Sequence, residues 1–197
     1  MQELNLQIFH FFNSFSSNPQ MELFVKCFVD SPIFILPLFL GWYWLYYTFS
    51  STTNTIKYKN NLLFIFYWTV LALILSLIIQ QFVNVDRPEE HLKAGGKLLL
   101  DHLPDASFPS DHATVSIAFL AWLFFAWYKK WWFALLLPFI FMNVSRVIAW
   151  VHWPFDIIAG SIVWVIGSYL IFAHIWKIKF VKMLNSKIIE LLKYIKL

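Results

Sequence analysis

The chain has 197 residues and a formal net charge of +4; 60% of it is hydrophobic, 21% aromatic and only 13% charged, with a mean hydropathy of +0.64. A soluble domain carries about 25% charged residues, so this composition excludes an ordinary soluble domain and requires most of the surface to face lipid. The positive balance does not point to nucleic acid, because the lysines cluster at the ends of apolar segments, and a single cysteine, Cys27, excludes an internal disulfide framework.

Residues 2–29 place Leu4, Ile8, Phe11, Phe12 and Phe15 among polar neighbours, the spacing of an amphipathic helix lying on a membrane. Met21 to Val29 reads as a second short helix, separated from the first long apolar run by Ser31-Pro32. Five stretches then approach the roughly 20 apolar residues that a spanning helix needs. They are Pro32 to Phe49, Leu62 to Val83, His112 to Tyr128, Trp131 to Val151, and Phe155 to Trp176. A sixth span arises if the N-terminal pieces enter the bilayer themselves. The expectation is therefore an all-α integral membrane bundle of five to six transmembrane helices with an N-terminal amphipathic helix. No internal repeat or low-complexity linker divides it, so residues 1–197 are expected to form one domain. No basic region precedes an apolar stretch at the N-terminus, so a cleaved signal peptide is not expected.

Orientation follows from lysine and arginine placement. Alternating the loops puts ten of the fifteen on one side, from Lys57 and Lys59 through Lys129 and Lys130 to the C-terminal lysines. The other side holds Lys26, Arg87, Lys93, Lys97 and Arg146. The first side is expected to be cytoplasmic. The polar blocks between Arg87 and Asp156 all fall on the second, extracytoplasmic side of a cell membrane.

Those blocks are Arg87-Pro88, then Phe108-Pro109-Ser110-Asp111-His112, then Ser145-Arg146 followed by His152 and Asp156. Pro109 restricts Phe108 to extended backbone, and Ser110 is a good N-cap for the helix behind it. Asp111 and His112 then fall in a first helical turn, where free N–H groups and the positive dipole end favour an oxyanion. Pro154 suits the first position of another helix, which puts Asp156 in its first turn and His152 just before it. A carboxylate there can hold one imidazole nitrogen and leave the other as a nucleophile. Arg87 and Arg146 offer planar forks matched to phosphate oxygens. Each block alone has a plain structural reading: a helix stop, a helix start, an arginine reaching for the interface. Three converging on one membrane edge point to chemistry, and an ionisable residue such as Arg146 inside an apolar helix is a functional candidate by default.

At these residues the chain resembles the type 2 phosphatidic acid phosphatase superfamily, whose blocks are Lys-x6-Arg-Pro, Pro-Ser-Gly-His and Ser-Arg-x5-His-x3-Asp. The third matches in full at Ser145, Arg146, His152 and Asp156. The second matches with Asp111 in place of glycine. The first matches at Arg87 and Pro88, with Gln80 where the lysine stands. The resemblance covers roughly residues 60–175. The Ser-Phe-Pro-Ser-Asp-His run and the short chain look most like the bacitracin-resistance branch, the undecaprenyl pyrophosphate phosphatases.

The resemblance implies that His152 attacks phosphorus to form a phosphohistidine, Asp156 orients it, and His112 protonates the leaving group and later activates water. Arg87, Ser110, Asp111, Ser145 and Arg146 would bind the substrate, with no metal or other cofactor. The implied partner is a polyprenyl pyrophosphate in the membrane, with another lipid phosphate or a non-hydrolysing transporter as the competing readings. Lys93 and Lys97 are the candidates to replace the charge missing at Gln80. The loop from Glu89 to Asp105 carries Glu90, His91, Asp101 and His102; it reads as a solvated polar loop, with a cation site or a lid hinged at Gly95-Gly96 as the alternatives.

Overall fold

A computed structural model describes residues 2–50, 53–88, 97–100, 106–126, 128–174 and 179–194. All regular structure among them is helical: α1 (Gln2–Asn13), α2 (Pro19–Phe28), α3 (Ile35–Phe49), α4 (Thr55–Phe82), α5 (Asp111–Phe125), α6 (Lys129–Ile148), α7 (Pro154–His174) and α8 (Lys179–Tyr194). Single 3-10 turns at Ser14–Ser17 and Ser31–Phe34 join the first three. Glu89, Glu90, His91, Lys93, Gly95, Gly96, Asp101, His102 and Asp105 lie outside the described residues, so the cation-site, lid and Lys93 expectations do too.

Four segments are long and apolar enough to cross a membrane: Pro19–Phe49, Thr55–Phe82, Lys129–Ile148 and Pro154–His174. The fifth predicted span, α5, is also apolar but has only 15 residues, about 22 Å at 1.5 Å per residue. It tolerates this because it is the centre of the bundle, packed on α4, α6 and α7. Ala118, Phe119, Trp122 and Leu123 are fully or almost fully buried there, against Ile65, Phe139, Met142 and Trp164. A helix surrounded by protein need not reach both lipid interfaces, so its polar N-terminus can start inside the molecule.

The N-terminal pieces do not add a sixth span. The helix α2 runs through the 3-10 turn into α3, which extends the first span back to Pro19. Asp30 sits at the break, just ahead of that turn. The amphipathic helix α1, expected to lie on a membrane, packs against the bundle. Its Phe9 is buried against Trp150 and Trp153, with ring centroids 5.4 and 4.9 Å away. Asn5 Oδ1 accepts from the Phe155 N–H at 3.1 Å, and Asn13 Nδ2 donates to the Ile148 carbonyl at 2.8 Å. Its inner face therefore clamps the connector between α6 and α7.

Two boundaries differ from expectation at the other end. The helix α4 begins at Thr55 rather than Leu62, since Lys57 to Asn61 are polar but helix-compatible, and the Lys59 ammonium lies 4.6 Å from the Trp44 ring centroid. The lysine-rich tail forms α8, an amphipathic helix packed on α4 with Asn185 and Ile189 buried. Its apolar residues recur at helical spacing among the lysines, a pattern that the charge count alone concealed.

Candidate active site

The C-terminal end of α4, the N-termini of α5 and α7, the C-terminus of α6 and the break at Asp30 converge at one end of the bundle. The connector from α6 to α7 aims the histidine. Ile148 is the last residue of α6, and the next turn closes with Trp150 N–H on the Val147 carbonyl and Val151 N–H on the Arg146 carbonyl, both at 3.1 Å. These are the two bonds of a Schellman cap, which needs a left-handed residue where glycine is usual. Here Trp150 takes that place with φ 68°. The conformation costs a side-chain-bearing residue roughly 1–2 kcal/mol; the indole is completely buried, packed on Phe9. The turn presents the Val151 carbonyl and the His152 ring to the neighbouring helices.

His152 is 2% exposed. Its Nδ1 lies 3.0 Å from the Ser107 carbonyl oxygen, and its Nε2 lies 3.3 Å from Arg87 Nη1 and 3.4 Å from Arg146 Nη2. A carbonyl only accepts and a guanidinium only donates. The neighbours therefore assign the tautomer: Nδ1 carries the proton, and Nε2 keeps its lone pair, directed at two arginines. Arg87 is buried, with Nη1 also donating to the Val151 carbonyl at 2.6 Å.

Asp156 holds this arrangement at one remove. Its Oδ2 is 3.9 Å from His152 Nδ1, beyond hydrogen-bond reach, and accepts instead from the Trp153 N–H at 3.0 Å and from the Ser107 hydroxyl. Ser107 is fully buried and bridges the pair, its hydroxyl on Asp156 and its carbonyl on His152. Sequence reading assigned Ser107 no role; the only signal was a hydroxyl residue three positions before the helix cap. A direct carboxylate–imidazole contact was expected, and the structure inserts a residue between them.

The start of α5 is built as expected, with its polar groups tied inward. Ser110 is fully buried and caps the helix, its hydroxyl oxygen 3.5 Å from the Ala113 N–H. Asp111 Oδ1 accepts from Ser76 Oγ at 2.7 Å and from Gln80 Nε2 at 3.0 Å, and Gln80 also donates to the Pro109 carbonyl at 3.0 Å. The two departures from the family pattern, Gln80 for lysine and Asp111 for glycine, are thus bonded to each other. Gln80 is a clamp on the α5 entry. Lys97 does not replace a missing charge at the site, because its ammonium pairs with Glu22 at 2.6 Å. Ser145 is fully buried next to Arg146 with no hydrogen-bond partner for its hydroxyl among the described residues.

His112 enters through a residue that sequence reading missed. Its Nε2 lies 3.0 Å from Asp30 Oδ1, and the same oxygen accepts from Arg146 Nη1 at 2.7 Å. The clue in the sequence was an acid beside Ser31-Pro32, at a break between apolar segments. Arg146 thus faces both histidines, Nη2 toward His152 and Nη1 toward the oxygen held by His112. Among the described residues no group of three or more His, Cys, Asp or Glu side chains is arranged to hold a metal ion.

A model of the PAP2 superfamily matches residues 61–180. The chain is 32% identical over 187 residues to the bacitracin transport permease protein BcrC of Bacillus licheniformis, covering 93% of this chain and 87% of that protein. It is 28% identical over 169 residues to the putative undecaprenyl-diphosphatase YbjG of Escherichia coli K12, covering 85% and 80%. The crystal structure of Aquifex aeolicus LpxE superposes with a TM-score of 0.63 at 25% identity, covering 85% of this chain and 93% of that one.

Proposed function

The chain belongs to the PAP2 superfamily and is a multi-pass membrane lipid phosphatase, and on that premise we propose that it hydrolyses undecaprenyl pyrophosphate to undecaprenyl phosphate on the extracytoplasmic face of the cell membrane. The whole chain acts as one phosphatase domain around a motif-bearing core at residues 60–175. The single observation that carries the reading is the environment of His152: Nδ1 against the Ser107 carbonyl, which assigns it the proton, and the Nε2 lone pair directed at two guanidinium groups.

In the first step the Nε2 lone pair attacks the terminal phosphorus in line with the bridging oxygen. The N–P bond forms and the P–O bond breaks. Its electron pair leaves on the bridging oxygen as lipid monophosphate. Arg87 and Arg146 carry the charge on the transferring oxygens, and fixed donors of this kind cost no reorganisation as charge develops. His112, which shares Asp30 Oδ1 with the other Arg146 nitrogen, gives its proton to the leaving oxygen and is left neutral. In the second step His112 takes a proton from water, whose oxygen attacks phosphorus. The N–P bond breaks and inorganic phosphate departs. Two arginines and the α5 terminus meet the phosphate charge, so the reaction needs no metal.

One relative is named a permease and another a diphosphatase. Transport of an anionic lipid needs cations but no oriented nucleophile, and the His152 environment therefore favours hydrolysis. The test is phosphate release by the detergent-purified chain from undecaprenyl pyrophosphate, phosphatidylglycerophosphate, phosphatidic acid and lipid A, with EDTA present. The expected outcome is fastest release from the pyrophosphate, unaffected by EDTA. Preference for another lipid would redirect the substrate, and complete, reversible loss in EDTA would overturn the metal-free chemistry.

A further inference from the structure

Asp30 is a half-exposed carboxylate whose one oxygen occupies a place defined by two reacting groups. Arg146 divides its fork: Nη2 lies 3.4 Å from the His152 nucleophile, and Nη1 lies 2.7 Å from Asp30 Oδ1. That same oxygen is 3.0 Å from His112 Nε2. In an in-line transfer the leaving oxygen lies across phosphorus from the nucleophile, next to the acid that protonates it. Asp30 Oδ1 contacts that acid and the far nitrogen of the shared arginine.

We propose that Asp30 is a resident anion in the phosphate site, held by Arg146 and His112, that an incoming phosphate must displace, so that it weakens the binding of every phosphate oxyanion at that site. The proposal rests on the phosphatase reading above. A carboxylate held by an arginine and an imidazole makes charge-assisted hydrogen bonds, the stronger kind. A diphosphate replaces what it displaces, because its inner phosphate brings anionic oxygens to Arg146 Nη1 and His112 and stays anionic after the bridging bond breaks. A monoester brings less charge to the same groups, but the cost of moving Asp30 aside is the same for both substrates. The same exchange in reverse returns Asp30 to Arg146 as products leave. The placement of Asp30 on the irregular stretch between α2 and the 3-10 turn, with its side chain half-exposed, permits the swing.

The experiment compares farnesyl diphosphate with farnesyl monophosphate, and measures vanadate inhibition, for the wild-type chain and for Asp30→Asn. The asparagine keeps the shape and removes the charge. The kcat/KM of both substrates is expected to rise about tenfold, and vanadate is expected to inhibit about tenfold more tightly, because none of them any longer displaces a charge worth one charged hydrogen bond. A residue that merely supported the fold would lower both rates together and weaken vanadate; either result overturns the proposal. If Asp30→Asn loses its cooperative melting transition, Asp30→Ser carries the same readouts with space for the incoming oxygen. A wild-type chain releasing phosphate from neither substrate would count against the phosphatase reading alone. In that case a larger rise in melting temperature with inorganic phosphate for Asp30→Asn than for wild type supports the resident anion, and equal rises overturn it.

Discussion

The two ends of the bundle both hold buried cations and hydroxyls, and only one is arranged for chemistry. At the motif end Arg87, Arg146, Ser107 and His152 are all buried and bonded to one another, with few degrees of freedom left. At the opposite end a cavity of about 760 Å³ is lined by Tyr47, Thr48, Lys59, Ser186, Glu190 and Lys193. It contains two lysines, but no histidine is among its described lining residues. Volume and positive charge attract an anion. Turnover requires a lone pair whose direction is fixed and a partner for the leaving oxygen; the first comes from the α6–α7 connector and the second from the first turn of α5, not from the cavity.

The contrast breaks most sharply at the nucleophile. His152→Ala should reduce phosphate release to background while the chain still inserts and melts cooperatively; near-normal release would show that the arginine cluster alone suffices. Arg87→Ala comes next. It removes a donor to the Val151 carbonyl and one of the two guanidinium groups at His152 Nε2. Truncating one partner of a desolvated charge costs about 2 kcal/mol or more, so kcat/KM should drop about 10²-fold. Retention of activity within a few-fold would assign the phosphate to Arg146 by itself.

A smaller effect tests the clamp at the α5 entry. Gln80→Ala leaves Pro109 and Asp111 short of a donor, which costs about 1–3 kcal/mol when such a group is buried. The expected result is a lowered melting temperature and a loss in kcat of about tenfold, non-additive with Asp111→Ala because the two residues share one bond. Additive losses would show that Gln80 acts elsewhere. The least effect is expected at the far end: Lys59→Met should leave the rate on a detergent-solubilised substrate unchanged. A large loss there would mean that the two ends are coupled.

The sequence by itself determined the all-helical membrane architecture, the approximate spans and the gathering of Arg87, His112, Arg146, His152 and Asp156 at one end of the bundle. Hydropathy runs and helix-start residues are local signals, and lipid enforces them, since backbone polar groups in a bilayer must be satisfied within a helix. It also marked Ser110 as a cap and Asp156 as a first-turn carboxylate, both as found. Only the tertiary structure decided which polar groups meet. Ser107 and Asp156 lie 49 positions apart, and Asp30 and Arg146 lie 116 apart; no periodicity relates residues on separate elements. The helix α1 became a clamp because Phe9 found Trp150, the left-handed tryptophan that lies buried against it. Gln80 stands where a cation was expected, and its amide is bonded to Asp111 instead. Pairing across helices depends on side-chain direction and packing depth, which a one-dimensional pattern does not encode.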